Sequence, residues 1–292
     1  MTLNVETLKT RSLTAIVFAV IMLTGLLYNY WSFLVLFSII HFGCWLEYQK
    51  LIGLVDKDYQ GISIFHKYAV MLCGFGFMLL MIEPNMNYLN INFSKIGKWM
   101  VIIISIILPI KEIVLSKKNN VKVVAFSFLG LLYISLSWGL MISLRNWGMM
   151  YQENNQYLDF GTILPVILIG SIWINDTMAY LVGSLIGKNP LSKISPKKTW
   201  EGTIGGAVLC VVIVSSLVYF FVDDSFLILA ICISSIAAVF GTLGDLLESK
   251  LKRLANVKDS GSFMPGHGGF LDRFDSLLIA IPFVWILIYF LY

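Results

Sequence analysis

The sequence predicts an all-α polytopic membrane protein of about nine transmembrane helices, with its N-terminus in the cytoplasm. Three observations carry that prediction. Of 292 residues, 58% are hydrophobic and only 13% charged, about half the charged fraction of a soluble domain. Apolar runs such as TAIVFAVIMLTGLLY (14–28) and MVIIISIILPI (100–110) recur along the whole length, and about 20 such residues cross a bilayer. The third observation is the placement of the basic residues.

The runs place spans at about 12–28, 30–46, 66–82, 99–115, 123–144, 161–186, 203–222, 226–249 and 276–292. The first is preceded by Lys9 and Arg11 and followed by Tyr28, Tyr30 and Trp31, with no small-residue cleavage pattern between. It therefore reads as a transmembrane helix with an interfacial aromatic anchor rather than a cleaved signal. With the N-terminus inside, every basic residue except Lys95, Lys98 and Arg145 falls on the cytoplasmic side. An even number of spans would destroy that asymmetry, so the positive-inside rule supports nine. Residues 1–160 hold five spans, and residues 161–292 hold four in the same continuous membrane domain. The polar connection 145–160 reads as a plain solvated link. Cys44, Cys73, Cys210 and Cys232 lie far apart in apolar segments without CxxC spacing, which points to packing rather than disulfides or zinc. His41 and His66, near span ends, read as interfacial or packing residues.

Ionisable groups in or beside spans are costly and so mark function. Three clusters qualify, all on the cytoplasmic side of this topology. In INDTMAYLVGSLIGK (174–188), Asp176 lies about three turns from the helix end, and Gly183 and Gly187 form a small-xxx-small pair for close helix contact. In ISPKKTWEG (194–202), Lys197 and Lys198 stand beside a helix start that Thr199 can cap, an arrangement suited to polyphosphate. In GDLLESKLKRLANVKDSGSFMPGHGGFLDRFDS (244–276), Asp245, Glu248, Ser249 and Lys252 share one helical face. Asp272 and Asp275 are spaced i, i+3. Carboxylates of this kind suit Mg²⁺ with phosphate oxygens as its other ligands. Arg253, Lys258 and Arg273 add cations for phosphate, and Gly266, Gly268 and Gly269 allow close backbone approach to a ligand. His267 has no neighbouring histidine or cysteine, which argues against a transition metal and for orienting the loop or bonding a phosphate.

This inventory is most compatible with phosphoryl or nucleotidyl transfer to a lipid. A CTP-dependent lipid-alcohol kinase would use similar groups. A cation or phosphate transporter would instead spread its acids through many spans, and the first five here have almost none.

The stretch from Ser249 to Asp275, S-K-L-K-R-x4-K-D-x-G-x2-M-P-G-H-G-G-F-x-D-R-F-D, resembles the motif of the phosphatidate cytidylyltransferases, the CDP-diacylglycerol synthases. NDTMAYLVGSLIGK and SPKKTWEG resemble that family's other polar blocks, in the same order. The likeness covers roughly the C-terminal 40% of the chain by motif. Met264 and Ser184 depart from the pattern, where another apolar residue and a basic residue respectively are usual. The resemblance implies CTP and phosphatidate as substrates, CDP-diacylglycerol and pyrophosphate as products, a requirement for Mg²⁺ with a monovalent cation such as K⁺, and a homodimer. It implies no nucleic-acid partner and a place in a bacterial inner membrane. Carried over by position, Asp245 and Asp272 lead the metal ligands, with Glu248, Ser249 and Asp275 in support. Lys252, Arg253 and His267 join the aspartates as catalytic residues. Asp176, Lys197, Lys198, Lys258, Asp259, Gly268, Gly269 and Arg273 bind the nucleotide.

Overall fold

The computed structural model describes residues 5–85, 87–88, 91–115, 121–151, 157–263 and 268–292. Each expected span falls on a helix. They are α1 (Val5–Leu27), α2 (Tyr30–Val55), α4 (Ile64–Leu80), α5 (Phe93–Leu115), the composite α6 (Val121–Gly130) and α7 (Ser137–Arg145), α8 (Phe160–Ile186), α9 (Trp200–Phe221), α10 (Leu227–Leu254) and α11 (Leu271–Leu291), with a single turn, α3 (Lys57–Gln60), between α2 and α4. Seven of the described helices are long and apolar enough to cross a membrane, whereas Leu13–Leu27 and Ile64–Leu80 are apolar but shorter. Large apolar side chains such as Ile106, Val208 and Phe220 point outward, as they must where lipid replaces water.

The 145–160 link is more ordered than expected. Met149–Tyr151 (β3) pairs antiparallel with Tyr157–Asp159 (β4), and Asp159 then caps α8 by accepting the Thr162 N–H at 3.1 Å. A smaller hairpin joins Asn87–Tyr88 (β1) to Ile91–Asn92 (β2).

The chain divides into two compact units, residues 1–146 with 254–273 and residues 147–253 with 274–292. The core of the first is built on Trp45, Trp138, Phe33 and Phe37, all buried. Its α4 and α5 meet at glycine, because a Cβ on Gly97 would strike the backbone of Leu80 and Gly76. Between α6 and α7, Leu131–Leu136 forms a π-helix, the rare i→i+5 form. Ser135 in that segment accepts the Trp45 indole N–H at 2.9 Å and lies 3.1 Å from His41 Nε2. His66 Nε2 lies 2.9 Å from Ser127 Oγ. Both histidines are buried, which matches a packing role better than an interfacial one. All four cysteines are free.

The second unit is organised by α8 against α9. A Cβ on Gly206 would meet the backbone of Ala179, and one on Gly202 would meet Gly183 and the Ala179 carbonyl. Gly183 and Gly187 face Thr199, so the small-xxx-small pair does serve close contact. In the same unit, Phe160, Cys210, Ile233 and Ile281 are fully buried.

Candidate active site

In the second unit, residues 188–199 form a short closed loop between α8 and α9. The Leu191 N–H donates to the Lys198 carbonyl at 2.7 Å, and the Trp200 N–H to the Asn189 carbonyl at 2.9 Å. Glu201 fastens the loop's start by accepting the backbone N–H of Lys188 and Asn189, and the Asn189 side-chain amide at 2.6 Å. Thr199 is the N-cap of α9, its hydroxyl accepting the Gly202 N–H at 3.2 Å. Thr199→Ala is expected to lower stability by about 1 kcal/mol, readable as a depressed melting temperature in detergent. Thr199→Ser should keep most of that stability.

This loop presents Lys198, half-buried, whose Nζ pairs with Asp245 on α10. One turn further along α10, the Ser249 hydroxyl donates to Asp245 Oδ1 at 3.2 Å. Glu248 is fully buried and pairs with Lys252 at 2.5 Å. On α11, Asp275 is buried, with Asp245 and Asp176 as like charges and Lys198 as an opposite charge acting on it. Gly244 makes this approach possible, since a Cβ there would collide with the Asp275 carbonyl oxygen. Asp275 thus meets two like charges and one lysine, and that lysine is itself paired with Asp245. Lys197 and Arg253 are exposed in the same unit.

In the first unit, the segment before α11 is gathered around two carboxylates. Asp272 Oδ2 accepts the Ser260 N–H at 2.9 Å and the Gly269 N–H at 2.7 Å. Glu47, from α2, accepts the Phe270 N–H on Oε1 and the Leu271 N–H on Oε2, each at 2.9 Å. The Ser260 hydroxyl lies 2.7 Å from Glu47 Oε2 and 2.9 Å from Asp272 Oδ2. Gly268 has φ +84, and its missing Cβ leaves room for Asp272. The space beside Gly261 and Gly269 belongs to Glu47. These glycines therefore already have a reason within the chain, namely close approach of its own carboxylates. Lys258, Asp259 and Arg273 are exposed. Gly266, Met264 and His267 lie outside the described residues.

Residues 9–291 match the pattern of the Cytidylyltransferase family. The chain belongs to that family. Among its relatives, the phosphatidate cytidylyltransferase of Staphylococcus haemolyticus is 41% identical over 166 residues, which are 56% of this chain and 58% of the relative. The proteins of the same name from Staphylococcus saprophyticus and Staphylococcus aureus are 40% identical over the same shares. The matched region thus spans a little over half the length of these relatives. For a cytidylyltransferase family member, a carboxylate cluster beside a lysine-bearing loop has the donor chemistry of a Mg²⁺ and polyphosphate site. Among the described residues no group of three or more His, Cys, Asp or Glu is arranged so that it could hold a metal ion. Here Lys198 occupies Asp245 instead. Sequence reasoning found the second unit's groups but missed Glu47. The only signal for it was a lone acid at the end of the apolar run FGCWL (42–46).

Proposed function

We propose that this chain transfers the cytidylyl group of CTP to phosphatidate, giving CDP-diacylglycerol and pyrophosphate, at the cytoplasmic face of a bacterial inner membrane. The observation that carries the reading is the grouping of Asp176, Asp245 and Asp275 with Lys198, in a chain whose relatives bear the name of that activity. Hard carboxylate oxygens are the ligands Mg²⁺ takes. By their place in the motif, Asp245 and Asp272 would be its leading ligands, with Asp275, Glu248 and Ser249 in support and a monovalent cation such as K⁺ beside it. The ion supplies charge neutralisation at the phosphates.

The remaining steps belong to the chain's own residues and its substrates. A phosphate monoester has its second pKa near 6, so the phosphatidate dianion is present at pH 7. One of its oxygens forms the new bond to the α-phosphorus of CTP. The bond from that phosphorus to the β-phosphate bridge breaks, and its electron pair leaves with pyrophosphate. No general base is required, so His267 acts as an orienting donor. Lys197 and Lys198 neutralise the nucleotide phosphates, and Lys252, Arg253, Lys258 and Arg273 share the remaining charge between nucleotide and lipid. Catalysis of this type rests on positioning and fixed charge. The chain acts as a homodimer, with the acyl chains staying in the bilayer.

Purified protein in detergent with Mg²⁺, phosphatidate, a polyprenol and CTP labelled at either the α or the γ position tests this. The α label is expected in phosphatidate-derived lipid, with pyrophosphate released. The γ label in lipid, with CDP released, would make the protein a kinase and overturn the reading. No label in lipid would overturn it too.

A further inference from the structure

Glu47 lies far in sequence from every polar motif, yet it is central to the segment that carries them. Its helix is firmly set there. Cys44, Trp45 and Tyr48 are buried, the Trp45 indole is bonded to Ser135, and the Tyr48 hydroxyl donates to the Phe126 carbonyl at 2.8 Å. From that fixed position the Glu47 carboxylate accepts the N–H groups of Phe270 and Leu271 at the start of α11. The first N–H groups of a helix have no partner within it, and a negative charge is favoured at that end. Glu47 therefore caps α11 from a different helix. One turn earlier on α2, Gly43 leaves the space in which the Phe270 ring sits. Phe270 in turn lies against Phe263 at 4.1 Å. Among the described residues no lysine or arginine pairs with Glu47. Its charge is answered by backbone amides and the Ser260 hydroxyl.

We propose that Glu47 is a positioning residue for cytidylyl transfer: it holds Ser260 and the start of α11 at Phe270 and Leu271, and with them Asp272, in the shape the reaction needs. The inference rests on the function proposed above. It adds a requirement in the N-terminal half that none of the C-terminal polar blocks contains.

Glu47→Gln keeps the size but replaces one acceptor oxygen with an N–H₂ group, so a donor then faces the N–H of Phe270 or of Leu271. Ser260→Ala removes only the hydroxyl and leaves the four backbone N–H bonds in place. Two readouts are needed. By hydrogen exchange without substrate, the amides of Phe270 and Leu271 are expected to be protected in the unaltered protein and to exchange at least about tenfold faster in Glu47→Gln. In turnover, Glu47→Gln is expected to lose about 10–100-fold in kcat with little change in KM for CTP, as small misplacements do. Ser260→Ala should stay within a few-fold of the unaltered protein.

A merely structural Glu47 would lower the melting temperature and leave kcat per folded molecule unchanged, and that result overturns the proposal. Fast exchange of the Phe270 and Leu271 amides in the unaltered protein overturns it as well, even if Glu47→Gln does not fold. If the unaltered protein makes no CDP-diacylglycerol, the proposed function fails, and the exchange arm still judges whether Glu47 holds the segment.

Discussion

Asp272→Asn is expected to lower the rate of CDP-diacylglycerol formation by at least about 10³-fold while the protein still inserts and folds. The side chain has two separable roles. Its Oδ2 gathers the N–H groups of Ser260 and Gly269, and an asparagine can turn its carbonyl oxygen to both. The charge cannot be kept. If Asp272 serves a cation, as its place in the motif implies, the loss of charge alone stops turnover. The check is initial rate against Mg²⁺ concentration, with thermal unfolding on the same samples. Near-normal activity with an intact unfolding transition would remove Asp272 from the metal assignment. It would leave the residue as a loop fastener only.

Gly244→Val is expected to be the most damaging change for folding in the second unit. The Cβ of any larger residue would land on the Asp275 carbonyl oxygen, and backbone cannot swing aside as a long side chain can. Helices α10 and α11 would have to part, and overpacking of this kind costs about 1–3 kcal/mol or more. Asp245 follows directly on α10, so any protein that survives should also be inactive. Folded yield by size-exclusion chromatography, and activity per folded molecule, measure the two effects. Gly170→Ala is the control. Nothing lies within 4 Å of its Cβ position, so the substitution should be neutral or stabilising by up to about 1 kcal/mol. Equal losses from both variants would show that the yield reports on handling rather than on packing.

The helices were legible because length and apolar content decide a membrane span locally. Much of the second unit's site was legible for a related reason: Asp176, Lys198, Asp245 and Asp275 are conspicuous against so apolar a background. The Thr199 cap could be read from its own neighbours. Glu47 could not, because its partners are more than 200 residues away in sequence and its own surroundings look like an ordinary helix end. The glycines near residue 268 raised a different problem. Sequence shows that a close approach is needed, but not whether the approaching group is a ligand or, as at Gly268 and Gly269, a carboxylate of the same chain. The π-helix was also invisible, since nothing in LLYISL (131–136) distinguishes it from the regular turns on either side.

The junction of Glu47, Ser260 and Asp272 can also be counted in hydrogens. Among the described residues, four backbone N–H groups and the Ser260 hydroxyl reach the two carboxylates. A hydroxyl carries a single hydrogen. At any moment it serves one of the two carboxylates. The two distances, 2.7 and 2.9 Å, put both within its reach. The hydroxyl that ties α2 to the entry of the last helix thus has one hydrogen to divide between two acceptors.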